Sequence, residues 1–376
     1  MPTVDIKKKK SKGKKIVAIV ISVLVAVVII GIAVINAMVK PVDVNSDKAV
    51  YVGGMLTSDS IEYNERSADG LSSNLIVKIM QVVWKSCSSS DAKKHAKQTP
   101  PDVVMKKDIP YLDDGNLYHM LDVYYPQNTP KDAELPVIID IHGGGWMYAT
   151  KDLNEYYCRA LADRGYVVFN ISYRLVPDVT VTDQLRDVAM ALNWISDNMS
   201  DYPCGDSIML TGDSAGGMLC AYTTIISQSE DLQKTFGVDK VNLTVDAVLL
   251  TSPVAYMKDG AMSVYTKLMW GKDYKKAPTY DYMNFDEIID YGTMPPTYLI
   301  TSTGDSMANA QTHKMAQLLQ SKGVDTTIRD YKPYNGKKLP HVFSVLEPFD
   351  TIGRQTIDDA TAFYQRIINT KQLANK

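Results

Sequence analysis

From residue 111 to the C-terminus, short apolar runs alternate with segments of helical spacing. This alternation constrains the fold more than any single motif. "YHMLDVYYP" reads as a strand, and "LPVIIDIHG" as a strand apolar on both faces. The helical segment "EYYCRALADRG" ends in glycine and is followed by the strand "YVVFNISY". The amphipathic "TDQLRDVAMALNWISDNM" carries a Thr or Asp cap. Next come "SIMLTG", a strand, and "AGGMLCAYTTIISQS", a helix. Then follow the strands "VDAVLLTSP", "PTYLITSTGD" and "DTTIRDYKP", with "NAQTHKMAQLLQSKG" and "TIGRQTIDDATAFYQRIIN" as helices. Strands separated by helices of this length pair in parallel through crossovers. The prediction is a doubly wound α/β fold, mostly parallel, with helices on both faces. Residues 254–294 break the rhythm. They are too long for a simple crossover, so they are expected to form a cap-like insertion above the strand ends, where such sheets bind ligands.

Two motifs lie at strand ends. Gly212-x-Ser214-x-Gly216 joins a strand to a helix. A serine in such a turn stands above the sheet at a helix N-terminus, and side chains two positions away would collide, so both flanking positions are glycine. Gly143, Gly144 and Gly145 follow the strand "VIID". Ordering three glycines is entropically costly. The cost is understandable if bare backbone N–H groups must approach a developing negative charge. If Ser214 attacks a carbonyl, its oxygen becomes an anion that needs preorganised donors. Gly143, Gly144 and Ala215 are the expected donors.

A serine nucleophile needs a base. In this topology the chain order is Ser, then Asp or Glu, then His. Among His95, His119, His142, His313 and His341, only the last two follow Ser214. His313 falls within a helical segment. His341 follows the strand "TTIRDY" and the loop "NGKKLP", where the base must hang. His142 is expected to fix the glycine loop by hydrogen bonding. Asp305, just after "TYLITSTG", is placed to orient His341, although a helix N-cap is an alternative use of the same residue. Asp325 and Asp330 fit less well.

With "HGGGW", "YRL" at 173–175, "GDSAGG", "GD" at 304–305 and "HVF" at 341–343 in this order, the chain resembles the hormone-sensitive-lipase-like branch of α/β-hydrolase esterases over about residues 111–368. The resemblance implies a carboxylic ester hydrolase without metal or cofactor. In it Ser214 is the nucleophile, Asp305 the acid, His341 the base, and Gly143, Gly144 and Ala215 the oxyanion donors. The chain departs from the family pattern with "YRLVPD" in place of "YRLAPE" and with Asn309 where a second acid is common.

The N-terminus points to a membrane. Residues 1–15 hold seven lysines and one aspartate, and Ile16 to Val39 carry no formal charge. About 20 apolar residues cross a bilayer as a helix. The expected organisation is a basic cytoplasmic tail (1–15), a retained transmembrane anchor (16–39), a linker (41–110) and the catalytic domain (111–376). By the positive-inside rule the domain lies outside the cytoplasm, at a bacterial cell membrane. Within the linker, "GLSSNLIVKIMQVVWKS" can form an amphipathic helix with Leu75, Ile79, Val82 and Val83 on one side, while "SSDAKKHAKQTPPD" reads as an exposed loop. The whole chain is −3, which leaves an acidic body that argues against nucleic acid as partner. Cys87, Cys158, Cys204 and Cys220 have no metal-site spacing and require no disulfide. The expected substrate is a small short-acyl ester. Six tyrosines in 254–294 suggest a partly polar alcohol. The same triad would also serve an acyltransferase or amidase, and a non-catalytic interaction ectodomain is the alternative of a different class. Sequence leaves the oligomeric state open.

Overall fold

The computed structural model describes residues 93–374 apart from 177, 260–261, 263–265 and 272, together with 27–34, 51–52, 55–56, 79, 82–83, 86–87 and 90–91. Eight strands form one sheet: β1 (Val103–Pro110), β2 (Met120–Pro126), β3 (Leu135–Ile141), β4 (Val167–Ile171), β5 (Cys204–Asp213), β6 (Ala247–Thr251), β7 (Thr297–Ser302) and β8 (Thr326–Tyr331). Their spatial order is β8-β7-β6-β5-β3-β4-β2-β1. Strands β3 to β8 pair in parallel where they are neighbours. β2 runs antiparallel to both β1 and β4. This is the α/β-hydrolase fold with a mostly parallel sheet.

Burial follows position in the sheet. β4, β6 and β7 are buried at every residue, as expected of strands covered on both faces. The edge strands β1 and β8 are largely exposed or half-buried. The main crossover helices are α1 (Glu155–Ala162), α2 (Val181–Asn198), α3 (Ser214–Ile226), α4 (Asn309–Ser321) and the closing α5 (Thr351–Ala374). Thr180 and Asp183 form a capping box at the start of α2, with the Asp183 carboxylate accepting the Thr180 N–H at 2.9 Å. All residues of α3 are buried, so this helix needs no polar face.

The catalytic unit starts earlier than residue 111. β1 lies in the stretch expected as linker and forms the sheet's edge. Part of the expected exposed loop is helical and docked: Asp91 and His95 are buried. The Tyr148 hydroxyl donates to Asp91 at 3.0 Å, and His95 stacks on Tyr156 with centroids 4.7 Å apart. Ile79, Val82 and Val83 are helical, with Ile79 and Val83 exposed, while Leu75 lies outside the described residues. The insertion 254–294 is a series of short helical turns whose Met257, Met283, Phe285 and Ile288 join the main core.

The basic tail and residues 16–26 and 35–39 of the expected anchor lie outside the described residues. Residues 27–34 are helical, with Val27, Val28, Ile29, Ile30 and Val34 exposed. Among the described residues no helix is long and apolar enough to cross a membrane.

Candidate active site

Because the central strands are parallel, the loops after β3, β5, β7 and β8 leave from one edge of the sheet, where α/β folds bind ligands. Ser214 follows β5 directly and adopts φ 51°, a left-handed conformation costly for a residue with a side chain. The turn is tight enough to dictate its glycines. A Cβ on Gly212 would come within 2.5 Å of the Gly216 carbonyl, and one on Gly216 within 2.0 Å of the Ile141 carbonyl. The neighbouring strand therefore enforces the second glycine, in addition to the turn itself.

The structure brings Ser214, His341 and Asp305 together. His341 Nε2 lies 2.8 Å from Ser214 Oγ, and its Nδ1 lies 2.9 Å from Asp305 Oδ2. Asp305 Oδ1 accepts the N–H groups of Met307 and Ala308 at 3.0 and 2.9 Å. Asp305 thus orients the histidine and closes the turn before α4, whose own N-cap is Ala308 and not Asp305. Burial alone would raise its pKa. The hydrogen bond and charge of His341, the Ala308 N–H and the Ser252 hydroxyl outweigh that and hold it below the ordinary carboxylate value. The two loops are also bound to each other. Ser302 Oγ donates to the Leu339 carbonyl at 2.6 Å, and a Cβ on Gly304 would meet the same oxygen at 2.3 Å. His313 is elsewhere, paired with Asp330 at 3.1 Å. Asp325 pairs with Arg366.

The glycine loop corrects one expectation. The Gly143 N–H donates to Asp213 Oδ1 at 2.9 Å, so it is already committed and unavailable to an oxyanion. Gly144, Gly145 and Ala215 donate to no protein acceptor among the described residues. Gly144 has φ 104°, and a Cβ there would meet the Tyr148 carbonyl at 2.2 Å. The three glycines look alike in sequence, and only the Asp213 contact distinguishes the first. His142 fixes the loop as expected: its Nδ1 donates to the Gly143 carbonyl at 2.7 Å, and its ring stacks on Tyr173 at 4.3 Å. Burial lowers the His142 pKa to about 4, so it stays neutral. The Tyr173 hydroxyl donates to the His142 carbonyl at 2.7 Å.

Sequence reasoning missed Asp213 and Asn154. Asp213 stood inside "GDSAGG" without a role, whereas Asn154 carried no signal. The insertion's tyrosines pack among themselves and on Phe236 of the helix Glu230–Phe236. Tyr282 meets Phe236 and Tyr291, Tyr274 meets Tyr280, and Tyr256 is buried. Tyr265 lies outside the described residues. The arrangement as a whole supplies a hydroxyl in contact with a carboxylate-oriented imidazole, beside free backbone donors. That is the equipment for acyl transfer.

The family described as BD-FAE matches residues 121–321, more than half of the chain. Esterase B from Lactobacillus rhamnosis, crystallised with a C4–C4 tributyrin phosphonate, is 31% identical with a TM-score of 0.75. The match covers 80% of this chain and 97% of that one. Probable carboxylesterase 8 of Arabidopsis thaliana is 21% identical over 307 residues, covering 72% of this chain and 92% of its own length. Esterase LipQ of Mycobacterium tuberculosis is 30% identical over 131 residues, covering 34% of this chain and 31% of its own length. The chain spans about a twentieth of the fungal polyketide synthases that it also matches.

Proposed function

We propose that this chain, which belongs to the BD-FAE family of α/β-hydrolase esterases, hydrolyses short-acyl carboxylic esters through an acyl-enzyme on Ser214. The observation that carries this reading is the unbroken chain of contacts from Asp305 through His341 to Ser214. In the first half-reaction His341 Nε2 takes the Ser214 proton as Oγ attacks the ester carbonyl. Asp305 holds the imidazole in the tautomer with Nδ1 protonated and stabilises the imidazolium. The oxyanion is received by the Gly144, Gly145 and Ala215 N–H groups. His341 then gives its proton to the departing alcohol. In the second half-reaction it activates water against the acyl-enzyme, releasing the acid and restoring Ser214.

Two considerations support short acyl groups. Among the described residues of the insertion, Met257, Met269, Trp270, Met283, Phe285 and Ile288 are buried in the core, where they are not available to line a long acyl channel. The related esterase B was crystallised with a C4–C4 phosphonate. Each further methylene would gain about 0.8 kcal/mol only where apolar surface is available to bury it. The test is kcat/KM across p-nitrophenyl acetate, butyrate, octanoate and palmitate. The maximum is expected at acetate or butyrate, and a maximum at octanoate or beyond contradicts the assignment. Equal activity on amide analogues would point to an amidase.

We also propose that the basic tail and apolar segment anchor the enzyme in a membrane, with the catalytic body outside the cytoplasm. The length and charge of Ile16 to Val39 support this, as does the exposed apolar surface of helix 27–34.

A further inference from the structure

Behind the glycine loop, three buried side chains meet. Asn154, at the start of α1, is fully buried, and Asp140 and Asp213 are almost so. The Asn154 Nδ2 donates to Asp213 Oδ1 and to Asp140 Oδ2, both at 2.8 Å. Asp213 Oδ1 also receives the Gly143 N–H. One amide nitrogen facing two carboxyl oxygens fixes the amide's orientation, since a flip would set oxygen against oxygen. Asp213 immediately precedes Ser214, and Gly143 immediately precedes the free donors. The distance between nucleophile and oxyanion site is therefore set through this carboxylate.

We propose that Asn154 is a positioning residue for the oxyanion loop: its amide holds Asp213 as the anion that accepts the Gly143 N–H. The inference rests on the serine-esterase reading above. Two carboxyls this close and this dry do not both ionise. Burial and the charge of Asp213 push the Asp140 pKa far up, so Asp140 carries the proton. Burial raises that of Asp213 to about 6, opposed by Asn154, His341 and the Gly143 N–H. The other titratable groups facing Asp213 are Tyr148, Tyr157 and Tyr173, and those facing Asp140 are Cys158, Cys220, Tyr157 and Tyr173. All of these stay neutral at working pH, because burial raises their pKa values. Protonating Asp213 weakens its hold on Gly143 and lets the donor loop drift.

The experiment is the pH profile of p-nitrophenyl acetate hydrolysis by wild type, Asn154→Ala and Ser214→Ala. In wild type, protonation of Asp213 should add a second break near pH 6 to the acid limb of log kcat/KM, whose slope then approaches two. Asn154→Ala removes a hydrogen bond to the ionised Asp213, so the second break should move about one unit alkaline. The result is a roughly fivefold loss of kcat at pH 6, near-recovery at pH 9 and little change in KM. Loss that is equal at every pH would overturn the proposal. So would a wild-type slope of one down to pH 4.5, a result that needs no variant to fold. If Ser214→Ala abolishes hydrolysis but these profiles fail, this inference alone falls. If Ser214→Ala leaves hydrolysis intact, the serine reading falls with it.

Discussion

Ser214 holds a strained φ of 51°, and residues around it share the left-handed region: Trp146, Ala149, Ser252 and Val342. Such conformations persist only where the surroundings over-determine them. Here the constraints are the backbone contacts at Gly212, Gly216 and Gly304. At the scale of single residues the account predicts that Ser214→Ala lowers kcat by about a million-fold without loss of fold, measured by ester hydrolysis and thermal melting. His341→Ala should be nearly as severe. His313→Ala removes only a partly exposed hydrogen bond with Asp330, so it should leave kcat near wild type and cost at most about 1 kcal/mol of stability. The reverse ranking of the two histidines would reassign the base. Ser214, His341 and Asp305 were legible in the sequence because each sits in a motif at a strand end and their order is fixed by topology. Asn154 was not legible, because its partners Asp140 and Asp213 come from two different strands and meet only in the folded protein.

At the scale of elements, the glycine loop and the turn at Ser214 behave as one device. Gly144→Ala meets both a positive φ and the Tyr148 carbonyl, so the loop must shift away from the nucleophile. Loss of one oxyanion donor costs about a hundred- to a thousand-fold in kcat. The expected outcome is a loss of that order with KM little changed, read from steady-state kinetics. Gly216→Ala drives a methyl into the Ile141 and His142 carbonyls, so it should cost about 1–3 kcal/mol of stability or more, read from thermal melting, as well as activity. The sequence identified the loop, though not which of its donors are free, because identical glycines differ only in what each N–H meets. The edge strand β1 was overlooked for a related reason. Its residues "VVMKKDIP" face solvent over most of their length and lack the apolar run that marks the inner strands.

At the scale of the whole molecule, the segment upstream of the sheet is part of the catalytic unit. Gln98 donates to the Leu346 carbonyl at 2.9 Å, and Asp91 and His95 pack on Tyr148 and Tyr156. Polar residues in a serine- and lysine-rich stretch read as loop, and only their partners in the fold reveal that they dock. Truncation at residue 100 should therefore lower the melting temperature, whereas truncation at residue 40 should not. Protease added to intact cells should cleave the body and spare the N-terminus if the proposed topology holds; protection of both would contradict it. The central claim, that a nucleophilic Ser214 carries the acyl group, is tested most directly by peptide mass mapping after reaction with a p-nitrophenyl alkylphosphonate. The account predicts one adduct per chain, located on Ser214. An adduct on another residue, or no adduct in an enzyme that hydrolyses esters, would contradict it.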